Sequence, residues 1–310
     1  MKAVRYHQYG EPDVLCHEEA PMPEVGSDEV LIKVSATSFN PADAMIRMGL
    51  LKDMLPLQFP FIPNVDVSGV IEKKGESVQG LNVGDEVYAF LDMSKNGAAA
   101  EYAIGKAVNV ALAPKKIDLQ DAAAIPAGAT TAWQALFEHG KLQSGQRLII
   151  LGAGGGVGSF AVQFAKWKGA YVIGCDAEES FAKLKELGID EFVDYKKDAI
   201  EKKVTEKVDV ILNLSPISSD DVTALLHLLK KGGTLVSTLN PADENAAKEL
   251  EVNVVRMAVQ PSAEHLAQIA ELVDKGSVKP FISERLPLSK LASAHGKMGQ
   301  THGKVLILVN

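Results

Sequence analysis

The sequence predicts an α/β protein that combines a doubly wound parallel sheet with a second, β-rich domain. From residue 148 onward, short apolar segments alternate with longer helical segments, which is typical of a parallel sheet covered by helices. Before residue 118, short β-like segments are separated by glycine and proline at the spacing of a small barrel or sandwich. A length of 310 residues suggests two domains, and we place them at 1–117 with 277–310, and at 118–276.

The elements follow in chain order. Strands are predicted in the first domain at 29–34, 66–73, 84–90, 100–104 and 107–111. Asp118 is a plausible N-cap of a short helical segment that Pro126 and Gly128 interrupt, and Thr130 or Thr131 caps a second helix that stops at Gly140. The later strands are predicted at 148–151, 170–175, 191–193, 208–213, 234–238, 252–259, 281–285 and 304–309, and the helices at 156–167, 178–187, 218–230, 263–275 and from 289.

The segment LIILGAGGGVG at 148–158 is the centre of the second domain. Its apolar residues predict a strand buried on both faces, and its glycines predict a tight turn before a helix. Glycine lets the backbone approach a pyrophosphate, and the free N–H groups and dipole of the helix attract that anion. The cofactor contacts are therefore expected at Gly155, Gly156, Val157 and Gly158. The motif has Ala153 in place of its first glycine, and a glycine turn without a ligand is the alternative.

An acidic residue follows this turn at the distance expected for a dinucleotide site. Asp176 ends the predicted strand 170–175 and lies 18 positions after Gly158. In dinucleotide-binding proteins an acid about 20 residues beyond the glycines accepts hydrogen bonds from the ribose. Turn, helix, second strand and acid occur in the required order, so the sequence predicts dinucleotide binding.

Composition limits the other function classes. A net charge of −8 and a pI near 5.5 argue against nucleic acid or an anionic membrane as a partner. No apolar run approaches the ~20 residues of a membrane span, and the N-terminus shows no apolar signal segment, so we expect a cytoplasmic protein. The two cysteines, Cys16 and Cys175, are too few for a zinc site of four thiolates.

Several ordered segments resemble one enzyme family. They are MKAVRYHQYGEPDVL, SFNPADAMIRMG, PFIPNVDVSGVI, NVGDEVYAF, AAAIPAGATTAWQAL, GAGGGVGSFAVQFAK and HGKVLILV. Together they are similar to the medium-chain dehydrogenase/reductase family, and within it to the zinc-free quinone oxidoreductase and enone reductase branch. The resemblance implies a GroES-like β-barrel catalytic domain and a Rossmann dinucleotide-binding domain.

The same resemblance implies that no metal is used. In the alcohol dehydrogenase branch, the segment matching Ser38–Asp43 carries a cysteine ligand and the segment matching Asn64–Gly69 carries a histidine. Here these segments read SFNPAD and NVDVSG, and contain neither residue. A catalytic zinc needs three protein ligands in one pocket, so we expect no metal-ligating residues.

The resemblance also suggests roles for individual residues. NAD(P)H would donate hydride to a quinone or to the β-carbon of an enone, with protonation at the α-carbon. Asn40 is the candidate catalytic donor to the acceptor oxygen, although it is also a turn-forming residue before Pro41. Met45, where relatives often have tyrosine, and Met257 would line the substrate. Thr130 would contact the nicotinamide end of the cofactor.

The form of the cofactor is left open by the residues near the adenosine. The carboxylate of Asp176 favours NADH, because a 2′-phosphate would place like charges close together. Relatives in this branch mostly use NADPH, Tyr195 resembles a residue flanking the adenosine phosphate, and the Lys183 side chain could swing in toward that phosphate. The cofactor is therefore written NAD(P)H.

Other functions remain as alternatives. One is an NAD(P)H-binding, crystallin-like or regulatory protein with little turnover, which the methionine at Met45 supports. Another is a zinc alcohol dehydrogenase. The expected partners are a small-molecule quinone or enone and a second copy of the chain, paired near 252–259 at the sheet edge; nucleic acid and membrane are not expected.

Overall fold

The structure is a computed structural model that describes residues 1–299 and 303–309. It divides into two compact units. The first unit comprises Met1–Thr130 and Pro261–Asn310, and the second comprises Thr131–Gln260. These limits differ from the predicted domain limits because residues 118–130 and 261–276 pack with the first unit. For example, the Tyr88 hydroxyl donates a hydrogen bond to the carbonyl oxygen of Leu266 at 2.5 Å.

The described residues form fifteen strands and ten α-helices, with short 3₁₀ turns and one π-helix between them. The strands are β1 Lys2–Arg5, β2 Cys16–Glu19, β3 Glu29–Phe39, β4 Asp66–Lys74, β5 Glu86–Phe90, β6 Tyr102–Lys106, β7 Val110–Leu112, β8 Arg147–Leu151, β9 Tyr171–Asp176, β10 Glu191–Asp194, β11 Val208–Asn213, β12 Leu229–Ser237, β13 Asn253–Arg256, β14 Ile282–Pro287 and β15 Lys304–Leu308. The helices are α1 Pro41–Arg47, α2 Leu119–Ala122, α3 Pro126–Trp133, α4 Gly156–Lys168, α5 Phe181–Glu186, α6 Ile200–Lys203, α7 Ser219–Ala224, α8 Glu244–Glu249, α9 Ala263–Asp274 and α10 Leu291–His295.

The first unit is built on a seven-stranded sheet in the order β14-β15-β3-β4-β5-β7, with β6 also paired to β3. Its ladders are antiparallel except β14 with β15. The long strand β3 pairs with β4, β6 and β15. It therefore brings strands from the early and late parts of the chain into one sheet. Buried aliphatic side chains such as Val30, Ile32 and Ile307 form the core of this unit.

The second unit contains one parallel sheet in the order β10-β9-β8-β11-β12-β13. In chain order within this unit the strands read 3-2-1-4-5-6, which is the order of a doubly wound dinucleotide-binding sheet. The order reverses beside β8, so the turn that follows Leu151 lies at the point where ligands bind in such sheets. The predicted α/β fold class is therefore confirmed.

Several predicted elements need correction. Pro126 does not interrupt a helix but is the first residue of α3. Proline is favoured at this position because the N–H that it lacks would have no hydrogen-bond partner within the helix. The helix continues as a π-helix over Gln134–His139. The predicted helix 218–230 ends earlier, since β12 begins at Leu229. The strands β1 and β2 and the helix α1 were not predicted, and His302, the first residue of the marker HGKVLILV, lies outside the described residues.

Candidate active site

The glycine turn leads into α4, and residues 155–157 at the start of this helix are partly exposed. Gly152 has φ +77°, which favours glycine, and Gly155 is the N-cap of α4. A Cβ on Gly158 would lie 2.2 Å from the carbonyl oxygen of Gly152, so this glycine is required by internal packing. A Cβ on Gly155 would meet only that same oxygen, at 3.3 Å. The first-turn N–H groups at 156–158 have no partner within the helix and suit an anion.

Asp176 lies at the end of β9 and contacts the glycine turn directly. Its Oδ2 accepts a hydrogen bond from the Gly154 backbone N–H at 2.6 Å. Its Oδ1 accepts from the Ala177 N–H at 2.8 Å and from the Ser180 hydroxyl at 3.1 Å. The structure therefore brings the predicted acid and the predicted turn together, and it adds a contact that the spacing alone did not indicate.

Two further side chains surround this turn. The ammonium group of Lys183 donates a hydrogen bond to the Gly154 carbonyl oxygen at 2.9 Å. Burial lowers the pKa of Lys183 to about 8, although the charge of Asp176 opposes that shift. Tyr195 follows β10, its backbone N–H donates to the Asp176 carbonyl oxygen at 3.3 Å, and its side chain is 59% exposed. An aromatic ring is thus available beside the acid that would hold a ribose.

In the first unit, the buried carboxylate of Asp66 is the centre of a polar network. Its Oδ2 accepts hydrogen bonds from the Ser38 hydroxyl at 2.5 Å, the Asn40 amide Nδ2 at 2.9 Å and the Lys304 ammonium Nζ at 2.9 Å. Its Oδ1 accepts from the Ala127 backbone N–H at 2.7 Å. One carboxylate therefore connects β3, the start of α1, β15 and the start of α3.

Asn40 is the N-cap of α1, and its side-chain amide is held from both ends. The Nδ2 group donates to Asp66, and Oδ1 accepts from the Lys304 ammonium at 2.6 Å. Its backbone N–H donates to Asp43 Oδ2 at 2.8 Å. Asn40 thus acts as a turn residue and also presents a fixed amide; the prediction that this amide contacts substrate stays a prediction.

Asp43 has a structural position at the start of α1. Its side chain is buried, and it accepts the Asn40 N–H across the first turn of α1. Burial raises the pKa of Asp43 to about 7, and the nearby charge of Asp66 acts in the same direction. The fold therefore favours the neutral form of this carboxyl at the start of α1.

Thr130 carries an unsatisfied buried hydroxyl. The residue lies in α3, four residues after Pro126, and is fully buried. Among the described residues its Oγ1 has no hydrogen-bond partner. A buried hydroxyl left without a partner costs free energy, so such an atom is a candidate contact for a bound polar group.

The two predicted substrate-lining methionines lie in different units. Met45 is half-buried on α1, one turn after Pro41. Met257 follows β13 in the second unit, is buried, and its backbone N–H donates to the Ser237 carbonyl oxygen at 2.9 Å. Both side chains are apolar, and their contact with substrate stays a prediction.

Sequence reasoning missed Asp66 and Lys304 as members of the site. The available signal was a lone acid or lysine inside an apolar strand segment, NVDVSG for Asp66 and KVLILV for Lys304. Charged side chains are almost never fully buried unless they are paired, so each residue suggested a partner. The two residues are 238 positions apart in the chain, so their pairing could not be predicted from sequence.

Comparison with known proteins agrees with this geometry. Residues 26–115 match the alcohol dehydrogenase GroES-like domain, and residues 187–307 match the family described as zinc-binding dehydrogenase. The chloroplast envelope quinone oxidoreductase homolog of Arabidopsis thaliana is 32% identical, covering 99% of this chain and 98% of that protein. The chloroplastic NADPH-dependent alkenal/one oxidoreductase of the same plant is 32% identical, covering 99% of this chain and 79% of that protein.

A solved structure gives the same result for the fold. The quinone oxidoreductase from Coxiella burnetii aligns with a TM-score of 0.91 and 28% identity, covering 100% of this chain and 99% of that chain. The predicted combination of a GroES-like unit and a Rossmann unit is therefore confirmed.

The chemistry of the residues present suits a dinucleotide. The helix start at Gly155 has chemistry that suits an anion, and the buried Thr130 hydroxyl has no partner among the described residues; that either contacts a cofactor stays a prediction. By contrast, the described residues contain no group of three or more His, Cys, Asp or Glu side chains that could hold a metal ion, and Asp66 is already bound to the Lys304 ammonium. With relatives above 30% identity spanning nearly its whole length, the chain belongs to the medium-chain dehydrogenase/reductase family of oxidoreductases, in the branch of the quinone oxidoreductases and enone reductases.

Proposed function

We propose that this enzyme transfers hydride from NAD(P)H to a quinone or an α,β-unsaturated carbonyl compound. The observation that carries the proposal is the glycine turn, in which Gly158 is required by packing and Gly155 leaves the helix terminus open. The names of the two Arabidopsis relatives, a quinone oxidoreductase homolog and an NADPH-dependent alkenal/one oxidoreductase, support the acceptor class and the cofactor.

On the cofactor side, the residues have distinct tasks. The backbone N–H groups at Gly155, Gly156, Val157 and Gly158 would bind the pyrophosphate at the α4 terminus. Asp176 would accept hydrogen bonds from the adenosine ribose. The exposed ring of Tyr195 would flank the adenosine. The Thr130 hydroxyl would bind the nicotinamide end of the cofactor.

The choice between NADH and NADPH depends on charge at the turn. A 2′-phosphate near Asp176 would meet a like charge, which costs roughly 1–4 kcal/mol depending on screening. Lys183 brings a positive charge to the same turn through its bond to Gly154, and it offsets part of that cost. Titrating the protein with each cofactor, with fluorescence as the readout, measures the balance directly.

On the substrate side, NAD(P)H when bound supplies the hydride. The Asn40 amide would donate a hydrogen bond to the acceptor oxygen, where negative charge develops as the β-carbon accepts hydride. Met45 in the first unit and Met257 in the second unit are each proposed as an apolar contact of the substrate. Because Met45 stands where relatives often have tyrosine, a possible proton donor, we assign protonation of the α-carbon to water.

A steady-state assay with a panel of quinones, enals and enones tests the proposal. We expect oxidation of NAD(P)H with at least one acceptor, and tight cofactor binding by titration. Tight binding without oxidation on any acceptor would contradict the proposal and favour the alternative, a cofactor-binding protein with little turnover.

We also propose that the protein is a homodimer. The strand β13 is paired only with β12 among the described strands, so its other edge is available for a second copy. Light scattering coupled to size exclusion should give twice the 33.1 kDa chain mass, and a monomer mass at micromolar concentration would contradict the proposal.

A cytoplasmic location stays a prediction from the N-terminal sequence. In residues 1–299 and 303–309 no helix has both the length and the apolar composition to cross a membrane. Two relatives carry chloroplastic names, so cell fractionation of the native protein is the appropriate test.

A further inference from the structure

The amide of Asn40 is oriented by two groups of opposite hydrogen-bonding character. The Lys304 ammonium can only donate, so the atom facing it at 2.6 Å is the amide oxygen. The Asp66 carboxylate can only accept, so the atom facing it at 2.9 Å is the amide nitrogen. A flipped amide would place donor against donor and acceptor against acceptor, so the chemistry of the partners selects one orientation.

Both partners are themselves held firmly. Asp66 is fully buried and Lys304 is 4% exposed, and the two form an ion pair at 2.9 Å. The Ser38 hydroxyl and the Ala127 N–H occupy further positions around the carboxylate. A buried charge pair whose members are also hydrogen-bonded has little freedom to move, because breaking it would leave an unpaired charge out of water.

The arrangement leaves Asn40 one amide proton for another acceptor. Its Nδ2 group carries two protons, and one of them binds Asp66. The Lys304 ammonium on the amide oxygen draws electron density from the nitrogen, which strengthens the remaining N–H as a donor. Asn40 is half-buried, so this donor retains access to a ligand.

We infer that Lys304 and Asp66 are positioning residues that fix and polarise the Asn40 amide for the acceptor oxygen of the substrate. The inference rests on the proposed function and extends it to two residues that do not themselves touch the substrate. Asp66 also binds the N–H of Ala127 at the start of α3, so the same carboxylate sets the helix that carries Thr130.

A double-mutant cycle with Lys304→Met and Asn40→Ala tests the inference. We expect Asn40→Ala to lower kcat about 100-fold, as loss of one oxyanion donor does. Lys304→Met should lower kcat about 10-fold or more, since a misplaced amide loses alignment. In the Asn40→Ala background, Lys304→Met should change kcat by less than about 2-fold, because the residue it positions is gone.

Lys74→Met is the matched control. This lysine lies in the same unit and donates to the backbone carbonyls of Val78 and Leu81, away from the network. It should leave kcat unchanged. If Lys304→Met does not fold, the pair Lys304→Met with Asp66→Asn removes both charges together, and the cycle with Asn40→Ala is repeated in that background with the same expectation.

The outcomes separate the two proposals. A wild-type protein without turnover on any acceptor overturns the proposed function, and the inference with it. A wild-type protein with turnover, in which Lys304→Met lowers kcat by the same factor whether or not Asn40 is present, overturns the inference alone. An unchanged kcat in Lys304→Met, with only a lower melting temperature, also overturns it, since that pattern marks a purely structural role.

Discussion

At the scale of single residues, Asp43 couples the start of α1 to pH. Its folded pKa of about 7 lies above the ordinary value of 3.8, so the folded state favours the protonated acid. The stabilising contribution is complete below about pH 4 and is lost as pH rises through 7, where ionisation must occur in a buried site.

Asp43→Asn should therefore stabilise the protein at high pH. The amide stays neutral and keeps an oxygen for the Asn40 N–H, so we expect a gain on the order of 1 kcal/mol or more at pH 8 and little change at pH 4. Melting temperatures at both pH values measure this. Asp85→Asn is the control, because Asp85 accepts the Asn82 N–H in the same pattern but is not buried. Equal effects of the two substitutions at pH 8 would contradict the explanation.

Residue identities in the site were predictable where the partners are close in sequence. Asp176 follows its glycine turn at the spacing expected for a dinucleotide site, and the structure brings acid and turn together, although that spacing did not indicate the hydrogen bond from the Gly154 N–H. The network around Asp66 was not predictable, because it depends on β15 returning to β3 from the far end of the chain. Residue spacing within one βαβ unit predicts which side chains lie together, whereas a pairing between residues 238 positions apart cannot be predicted in this way.

At the scale of elements, two glycines of the turn have different roles: Gly158 is needed for internal packing, and Gly155 is proposed to give the pyrophosphate access. Gly158→Ala should destabilise the second unit by about 1–3 kcal/mol, because its Cβ would overlap the Gly152 oxygen. Gly155→Ala should cost less, up to about 1 kcal/mol, because its Cβ would lie 3.3 Å from one carbonyl oxygen and alanine is a poor N-cap. It should nevertheless weaken NAD(P)H binding, since the methyl group would project where we place the pyrophosphate.

Calorimetry and cofactor titration of the two variants check this distinction. Gly296→Ala is a suitable control, because its Cβ would have only ordinary contacts at 3.6 and 3.7 Å. A Gly155→Ala variant that binds NAD(P)H as tightly as the wild type would contradict the assignment of this turn to the pyrophosphate.

Elements with strong periodicity or clear ends were predicted well, and short elements were not. β8 and α4 match closely because an apolar run, a glycine turn and Gly169 mark them in sequence. The seven-residue helix α1 was missed although Asn40 and Asp43 form its cap, since Pro41 was interpreted as part of a turn. The strands β1 and β2 have only four residues each, and their antiparallel pairing with each other is visible only in the folded structure.

At the scale of the whole molecule, the two units differ in how far their structure could be predicted from the order of elements along the chain. The second unit has the doubly wound parallel sheet that strand–helix alternation predicted, so its glycine turn at the end of β8 was predictable. The first unit combines the beginning and the end of the chain, and its compact limits at Thr130 and Pro261 depend on packing that composition does not show. The sequence nevertheless predicted that the C-terminal segment 277–310 belongs with the first unit. Within this segment, Lys304 is the residue to which we assign a positioning role.

The most direct test of the account follows the hydride itself. NAD(P)H deuterated at the transferable C4 position is incubated with the enzyme and an enone, and the product is examined by NMR and mass spectrometry. We predict one deuterium at the β-carbon of the saturated product and a solvent-derived proton at the α-carbon, with no loss of activity after treatment with a chelator. A product without deuterium, or no product at all from any enone or quinone, would contradict it.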